Sequence, residues 1–531
     1  MTVEVVFRQS ALDLGQQVLD LIGTPKDEWE IAAQLEVMGL RDADARSDYG
    51  TRDLFDLARQ IYERWREGGF RTEPEPDDPE PAVSPFARFL RNYVTGLTFS
   101  LPMALQAATM LLWGYGVWGA TDMDLRTGSA IALGFIASYV ATGGFMQAIV
   151  RRGLFYIYQQ EEWLARWAAL RTWWLGLEVV LGLLVPALLL NGLFGALPWS
   201  MVLTATGYYI GLSVLWLNWS LIYLVRETWL FLLTTAIALG AVLVAAKVFG
   251  ASPVMANAAG LVVADVLSFA LAIHRLNRLA RLRKPKGTIN PPRVTVLVHS
   301  TSRFFLYGLL YNTFLFADRV IAWTSATGRE DFPPYGFWMN VRYELGMDLA
   351  LVVVMILAGI VEHATQRFSE ELIPQEKRIK SNAAGPFFAN AKREQRRRIV
   401  VLGIASVFAV IIAIVVALTL RSMPSLSIHP SLIAPTTARV FALATVAYVV
   451  FLFALQNVLM LLTLARVDLV VRAVGIALAV NVATGFVLSR AVHYSAAVAG
   501  LLAGSAVLLF LTARSMRRVL GALDYYYYAA Y

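Results

Sequence analysis

The chain of 531 residues contains no cysteine, which excludes disulfides, thiolate metal sites, iron–sulfur clusters and cysteine nucleophiles. Its five histidines stand singly along the sequence, so their spacing predicts no metal site. The sequence also lacks a phosphate-binding loop of the GxxxxGK(S/T) type, a serine elbow and a zinc motif. We therefore expect neither an enzyme nor a bound cofactor. If the protein carries out a process that requires energy, the energy must come from an ion gradient, the membrane potential or a partner.

Charge is scarce as well, because only 16% of the residues are charged while 57% are hydrophobic. The apolar residues are grouped in runs of about 20, the length that crosses a bilayer core of about 30 Å. Composition therefore predicts an all-α integral membrane protein. The first 30 residues hold no apolar stretch of signal-peptide length, so we expect no cleavable signal.

The remaining charge is distributed unevenly along the chain. Residues 1–81 hold 19 of the 38 acidic residues and only 9 basic ones. Apolar residues at helical spacing, such as Leu54, Leu57 and Ile61, predict a small acidic helical domain over residues 1–70. Residues 71–92 are expected to form a Pro-rich acidic linker and a juxtamembrane segment, since EPEPDDPEP cannot be a helix.

Twelve apolar runs follow the linker and are predicted to be membrane spans. Their approximate bounds are 94–118, 128–150, 173–196, 200–224, 228–249, 254–274, 299–324, 343–363, 399–420, 437–463, 468–489 and 494–513. The basic segment 275–298 divides them into a first six-helix bundle, 93–274, and a second, 299–513. The segment 514–531 is a Tyr-rich tail. Such parallel halves are typical of alternating-access transporters.

Orientation follows from the lysine and arginine residues between the spans. With the N-terminus inside, the inner segments carry 28 basic residues and the outer ones carry 7. Because basic loops stay in the cytoplasm, this bias predicts that both termini are cytoplasmic. We expect the membrane to be the cytoplasmic (inner) one. The loop Arg151–Arg171, rich in Trp and Tyr, predicts an interfacial helix, and Tyr525–Tyr528 an interfacial anchor.

Asp265 lies in the middle of the sixth span, where insertion of a charged residue into the membrane costs about 2.5–3.5 kcal/mol. A charge at this position is therefore expected to have a structural or functional role. Two interpretations are open for this carboxylate. It could be an ion, proton or substrate site in a wet cavity, or it could pair with a buried arginine for packing.

The seventh span carries the other candidates for a substrate or ion pathway. Tyr307, Tyr311, Phe314 and Asp318 share one helical face, which suits the stacking of sugar rings beside an acidic group. The alternative is an aromatic packing seam that ends in an interfacial charge. The same span contains three further polar candidates, which are Arg303 near its inner end, where it can snorkel to the interface, Asn312 and Arg319.

The segment from Tyr307 to Ser325, YGLLYNTFLFADRVIAWTS, resembles the seventh helix of PelG-like exopolysaccharide exporters. These exporters are a branch of the multidrug/oligosaccharidyl-lipid/polysaccharide (MOP) flippase superfamily. The matching features are the aromatic-rich run, the acidic-basic pair Asp318-Arg319 and Trp323. Val361-Glu362 and the following charged segment resemble the next element of the family. The resemblance implies export of a polysaccharide, in Pel systems one rich in amino sugars.

The combined prediction is a transporter that exports a polysaccharide across the inner membrane by alternating access between two helix bundles. The acidic N-terminal domain would dock a cytoplasmic glycosyltransferase, synthase or regulator. No nucleic-acid partner is expected, because the basic residues lie between apolar runs. The alternatives are a lipid-linked precursor flippase or multidrug exporter of the same superfamily, and a membrane assembly subunit that transports nothing.

The orientation can be tested by labelling single cysteines in the cysteine-free chain. A cysteine at Gly328 should react with an impermeant maleimide from outside, and one at Gly385 only after permeabilisation, because the basic loops stay inside. The reverse pattern would contradict the predicted orientation.

Overall fold

A computed structural model of the chain describes residues 9–23, 25–70, 84–282, 291–329, 332–333, 335–378, 384–426 and 428–522. Within these ranges the secondary structure is helical, with a single isolated bridge between Tyr115 and Ala120. The all-α prediction is therefore confirmed.

Four short helices form a domain before the linker, with their own buried cluster of apolar side chains. Asp27 and Asp53 cap the second and fourth of them by accepting backbone N–H groups. The segment 71–83, predicted to be a linker, lies outside the described residues. The helices are α1 (Gln9–Ile22), α2 (Glu28–Val37), α3 (Asp42–Asp48) and α4 (Leu54–Arg66).

Within the described residues eleven helices are long and apolar enough to cross a membrane, and a bent pair of shorter helices, taken as one span, brings the number to twelve. This agrees with the predicted number. The pair is α5 (Pro85–Leu97) and α6 (Leu101–Trp113), and the five further helices of the first half are α7 (Leu125–Tyr158), α8 (Glu162–Phe194), α9 (Trp199–Leu224), α10 (Trp229–Lys247) and α11 (Pro253–Leu282).

The second half starts with α12 and includes one short helix, α15, between two spans. The 3-10 turn Tyr494–Ala497 leads directly into its last span. Its helices are α12 (Val294–Trp323), α13 (Val341–Arg378), α14 (Ala384–Arg421), α15 (His429–Leu432), α16 (Pro435–Thr463), α17 (Val467–Ala491) and α18 (Val498–Val519).

Each half is a bundle with its own helix packing. In the first half α7 packs on α8 and α9, and α11 packs on α9 and α10. In the second half α16 packs on α13 and α18, and α17 packs on α12 and α18. Two helix pairs hold the halves together, α7 with α12 and α5 with α13.

The first span, predicted over 94–118, is a bent pair of helices in the structure. The axes of α5 and α6 differ by 59°, and the break lies at Thr98–Ser100. Pro102 explains it, because proline lacks an N–H and its ring clashes with the carbonyl four residues earlier, here that of Thr98. As a result α5 packs on α13 of the second half, whereas α6 packs on α10 of the first.

The interfacial helix predicted over Arg151–Arg171 is also wrong. Residues 151–158 continue α7 and residues 162–171 begin α8, with a turn between them in which Gln160 has φ +61°. The segment is divided because α7 and α8 both extend into it, so that its backbone N–H and C=O groups form hydrogen bonds within these two helices. Tyr525–Tyr528 lie outside the described residues.

Gly328 is a poor position for the cysteine label. It has φ +79°, and a Cβ there would overlap the His493 ring. Ala326, two residues earlier in the same loop, is exposed and serves as the outer labelling position.

Candidate functional site

A cluster of charged side chains lies inside the second half, where α12, α13 and α16 meet. Asp318 is fully buried, and its Oδ2 accepts a hydrogen bond of 2.7 Å from the Tyr343 hydroxyl. Its other carboxylate oxygen, Oδ1, has no hydrogen-bond partner among the described residues. A buried oxygen without a partner is costly, so this carboxylate is poised to hold a proton or a ligand.

Arg319, the next residue, points toward α13 and forms two ion pairs there. Its guanidinium lies 3.2 Å from Glu344 Oε2 and 3.4 Å from Asp348 Oδ1. Glu344 also accepts a hydrogen bond of 2.7 Å from Trp323 Nε1. The arginine is thereby held in one position, since its partners come one helical turn apart on α13.

Asp348 is the open member of the cluster. Its side chain is 57% exposed, compared with 11% for Arg319 and 14% for Glu344. Its chain neighbours Met347 and Leu349 are both buried. The Arg319 guanidinium, which pairs with Asp348, lies over the Phe316 ring, and Phe316 packs against Phe135 and Tyr139 of α7, so the cluster lies near the boundary between the halves.

The cluster is acidic overall. Asp318, Glu344 and Asp348 supply three carboxylates, and Arg319 forms ion pairs with the last two and follows the first in the chain. The Tyr448 hydroxyl of α16 also interacts with Arg319. An excess of negative charge in a membrane-embedded site favours protons or cationic groups. The described residues hold no group of three or more side chains arranged for a metal ion.

The aromatic stripe of the seventh span is buried in this conformation. Tyr307 and Phe314 are 2% and 0% exposed, and both Tyr311 and Phe314 pack against Phe451 of α16. The contacts are those of a packing seam inside the second half. Whether sugar rings reach the stripe in another conformation stays a prediction.

Asn312 and Arg303, on the same helix, occupy different environments. Asn312 Nδ2 donates a hydrogen bond of 2.7 Å to the Tyr139 carbonyl of α7, and therefore joins the two halves. Gly143 and Gly308 allow this close approach, since a Cβ on either one would overlap the other helix. Arg303 is exposed near the start of α12, where its long side chain can reach the membrane interface.

Asp265 lies in the first half, apart from the Asp318 cluster. Its carbonyl accepts a hydrogen bond from Asn218 Nδ2, which also contacts Ser268 Oγ, while Trp173 donates to Asn218 Oδ1. The Asp265 Oδ1 atom is buried without a hydrogen-bond partner among the described residues. The structure therefore does not bring Asp265 and Asp318 together, and no described ion pair neutralises Asp265.

Sequence reasoning missed Tyr343, Glu344 and Asp348 at the start of the eighth span. Glu344 and Asp348 are four residues apart and share a helical face, which was a usable signal. The predicted span begins at residue 343, and charged residues are common at the membrane interface where a span begins. Their position in the sequence therefore does not indicate a site. Their pairing with Arg319 depends on the packing of α13 against α12, which cannot be read from the sequence.

The second contact between the halves, α5 with α13, is built on small residues. Gly96 and Gly359 touch so closely that a Cβ on Gly96 would lie 2.6 Å from the Gly359 Cα. Tyr93 donates a hydrogen bond to the Ile356 carbonyl, and Asn92 Nδ2 lies 3.4 Å from His363 Nδ1. We name this contact the α5–α13 seam. Since α6 leaves it after the break, the seam joins the halves at one end only.

Arg319→Gln should lower the stability of the protein by about 3–5 kcal/mol, because it leaves the buried Glu344 carboxylate without its ionic partner. Thermal unfolding of the purified protein in detergent measures the effect. Arg303→Gln is the matched control on the same helix and should leave the melting temperature unchanged, since Arg303 is exposed. Equal melting temperatures for both variants would contradict the structural role of the Arg319 ion pairs.

Comparisons with known proteins agree with this architecture. The PelG family model, described as "Putative exopolysaccharide Exporter (EPS-E)", matches residues 96–528. No curated protein sequence matches the chain.

Several solved transporters share the fold. A MATE transporter in complex with MaL6 has a TM-score of 0.55 and 13% identity, and the match covers 82% of this chain and 97% of that one. A MATE family transporter of the MOP superfamily in an outward-facing conformation has a TM-score of 0.54 and 14% identity, with 82% and 96% covered. A MOP superfamily transporter from Pyrococcus furiosus has a TM-score of 0.52 and 13% identity, with the same coverage. The chain therefore belongs to the PelG family of exopolysaccharide exporters and is a membrane transporter of the MOP superfamily.

Proposed function

We propose that the protein exports a polysaccharide across the inner membrane by alternating access between its two helix bundles. The observation that carries this proposal is the acidic cluster around Arg319, which lies near the boundary between the halves and whose outermost carboxylate, Asp348, is open. A carboxylate in such a position can accept hydrogen bonds from sugar hydroxyl groups and can pair with an amino group.

The contacts between the halves support a transport cycle. Asp348 and Gly359 are 11 residues apart on α13, which places the open carboxylate about 16 Å from the α5–α13 seam. The break at Thr98–Ser100 directs α6 toward α10, away from the half of α13 that carries Asp348. In the orientation that the basic loops predict, the α5–α13 seam lies toward the cytoplasmic side, and Met339 and Ser129 join the halves by a hydrogen bond at the other end.

The charge of the cluster favours this function over the flipping of a lipid-linked precursor. A lipid diphosphate is an anion, and three carboxylates around one guanidinium would repel it. An uncharged or amino-bearing sugar meets no such penalty. We therefore favour a polysaccharide over an anionic lipid carrier as the substrate.

The acidic N-terminal domain is proposed to be a cytoplasmic docking module for a synthase or regulator. The net acidic charge of residues 1–81 and the Pro-rich tether support this role. Removing residues 1–80 should abolish co-purification of such a partner and impair export while membrane insertion is retained. Loss of the truncated protein from the membrane would instead make the domain part of the fold.

Neutralising the open carboxylate tests the site. Asp348→Asn is nearly isosteric, and the loss of a charge-assisted hydrogen bond of about 1.5–3 kcal/mol should reduce polysaccharide export by about tenfold or more. Expression level should stay normal, and the melting temperature should fall far less than in Arg319→Gln, because Asp348 is exposed and Arg319 keeps its ion pair with Glu344. Secreted polysaccharide in a strain that lacks the native chromosomal copy is the measurement.

Asp265→Asn tests the separate carboxylate of the first half in the same assay. If Asp265 couples an ion to transport, export should be lost while stability is retained, since a mid-membrane carboxylate needs either water or a partner. Asp122→Asn, at an exposed loop position, is the control for both variants. Wild-type export by Asp348→Asn would contradict the substrate site, and wild-type export or marked destabilisation by Asp265→Asn would contradict coupling.

A further inference from the structure

An apolar groove lies on the surface of the second half between α13, α14 and α16. Its floor is Leu349 of α13, and its walls are Ile414–Arg421 of α14 and Thr437–Phe441 of α16. It exists because α14 packs along α13 but makes few contacts with α16. The groove spans eight residues of α14, a rise of about 10 Å, or about a third of a bilayer core.

The short helix α15 closes one end of the groove and is fixed at both of its own ends. His429 Nε2 lies 3.1 Å from the Arg421 carbonyl of α14, and Thr437 Oγ1 donates a hydrogen bond of 2.6 Å to the Ser431 carbonyl. Leu432 of α15 is buried and contributes to the lining. The groove is therefore a fixed feature of the fold with apolar walls.

The groove opens to the surface that faces lipid. The span that ends at Arg421 is the most apolar of the candidate spans, and Ile414, Val415 and Leu418 on it are exposed. Arg421 lies at the closed end of the groove, where α14 ends, so its exposed guanidinium is at the level of the headgroups.

We propose that this groove binds a phospholipid with an anionic headgroup, with one acyl chain between α14 and α16 and its phosphate on Arg421. The apolar walls can hold part of a hydrocarbon chain, and each methylene that enters gains apolar contact in place of loose lipid packing. The guanidinium supplies the charge complementarity, because arginine binds phosphate oxygens in a bidentate manner. The inference does not depend on which substrate the transporter carries.

Lipid binding to the purified, delipidated full-length protein tests the proposal. Native mass spectrometry compares phosphatidylglycerol with phosphatidylcholine of the same acyl chains. The wild-type protein should retain phosphatidylglycerol preferentially. Arg421→Gln should weaken phosphatidylglycerol binding about fivefold and leave phosphatidylcholine unchanged, because only the headgroup contact is lost. Arg126→Gln, an exposed arginine at the start of α7, should bind both lipids as the wild type does.

A second pair of variants tests the acyl chain. Ala417→Trp fills the groove and should reduce binding of both lipids, whereas Val415→Trp, on the exposed side of α14, should not. Ala438→Leu fills the groove from α16 and is used if Ala417→Trp fails to fold. Unchanged phosphatidylglycerol preference in Arg421→Gln, or unchanged lipid binding in the filled variants, would overturn the proposal. So would a co-purifying membrane protein that is lost from the filled variants while lipid binding persists, since the occupant would then be a partner helix.

Discussion

The bilayer core offers no hydrogen bonds, and most features of this structure follow from that constraint. Each polar group within the spans must find a protein partner or face water. Arg319 satisfies the rule with two carboxylates from the next helix, and Asn312 with the Tyr139 carbonyl across the boundary between the halves. Asp265 and Asp318 satisfy it only in part, because each retains a buried carboxylate oxygen that has no hydrogen-bond partner among the described residues. A buried carboxylate oxygen of this kind is available to bind a ligand, an ion or a proton.

Much of the fold could be predicted from the sequence because the membrane makes the pattern simple. Runs of about 20 apolar residues can only be spans, and their number and division into two halves agree with the structure. The break in the first span was also encoded, since Pro102 lies within it, but a proline in a span can kink a helix or end it. Packing against α13 on one side and α10 on the other decides the outcome here, and such packing is not visible in one sequence.

The candidate site could be predicted only in part, for a related reason. Asp318 and Arg319 stand out because they interrupt an apolar run, whereas Glu344 and Asp348 lie near the start of a span where charges are ordinary. The stripe Tyr307, Tyr311 and Phe314 does share a face, but periodicity cannot say what that face meets. In the structure it meets Phe451 of α16. Helix periodicity predicts which residues share a face of a helix. Whether that face contacts lipid, the protein core or a cavity depends on tertiary packing.

Alternating access between the two bundles requires the halves to separate at the α5–α13 seam during transport, and a cross-link across that seam tests this most directly. Asn92 and His363 lie in contact on opposite helices, and the chain has no native cysteine to interfere. The double variant Asn92→Cys/His363→Cys should form a disulfide with a mild oxidant. Polysaccharide export should then stop and return on reduction, while each single variant exports under both conditions. Export at the wild-type rate by the fully cross-linked protein would contradict alternating access through this seam.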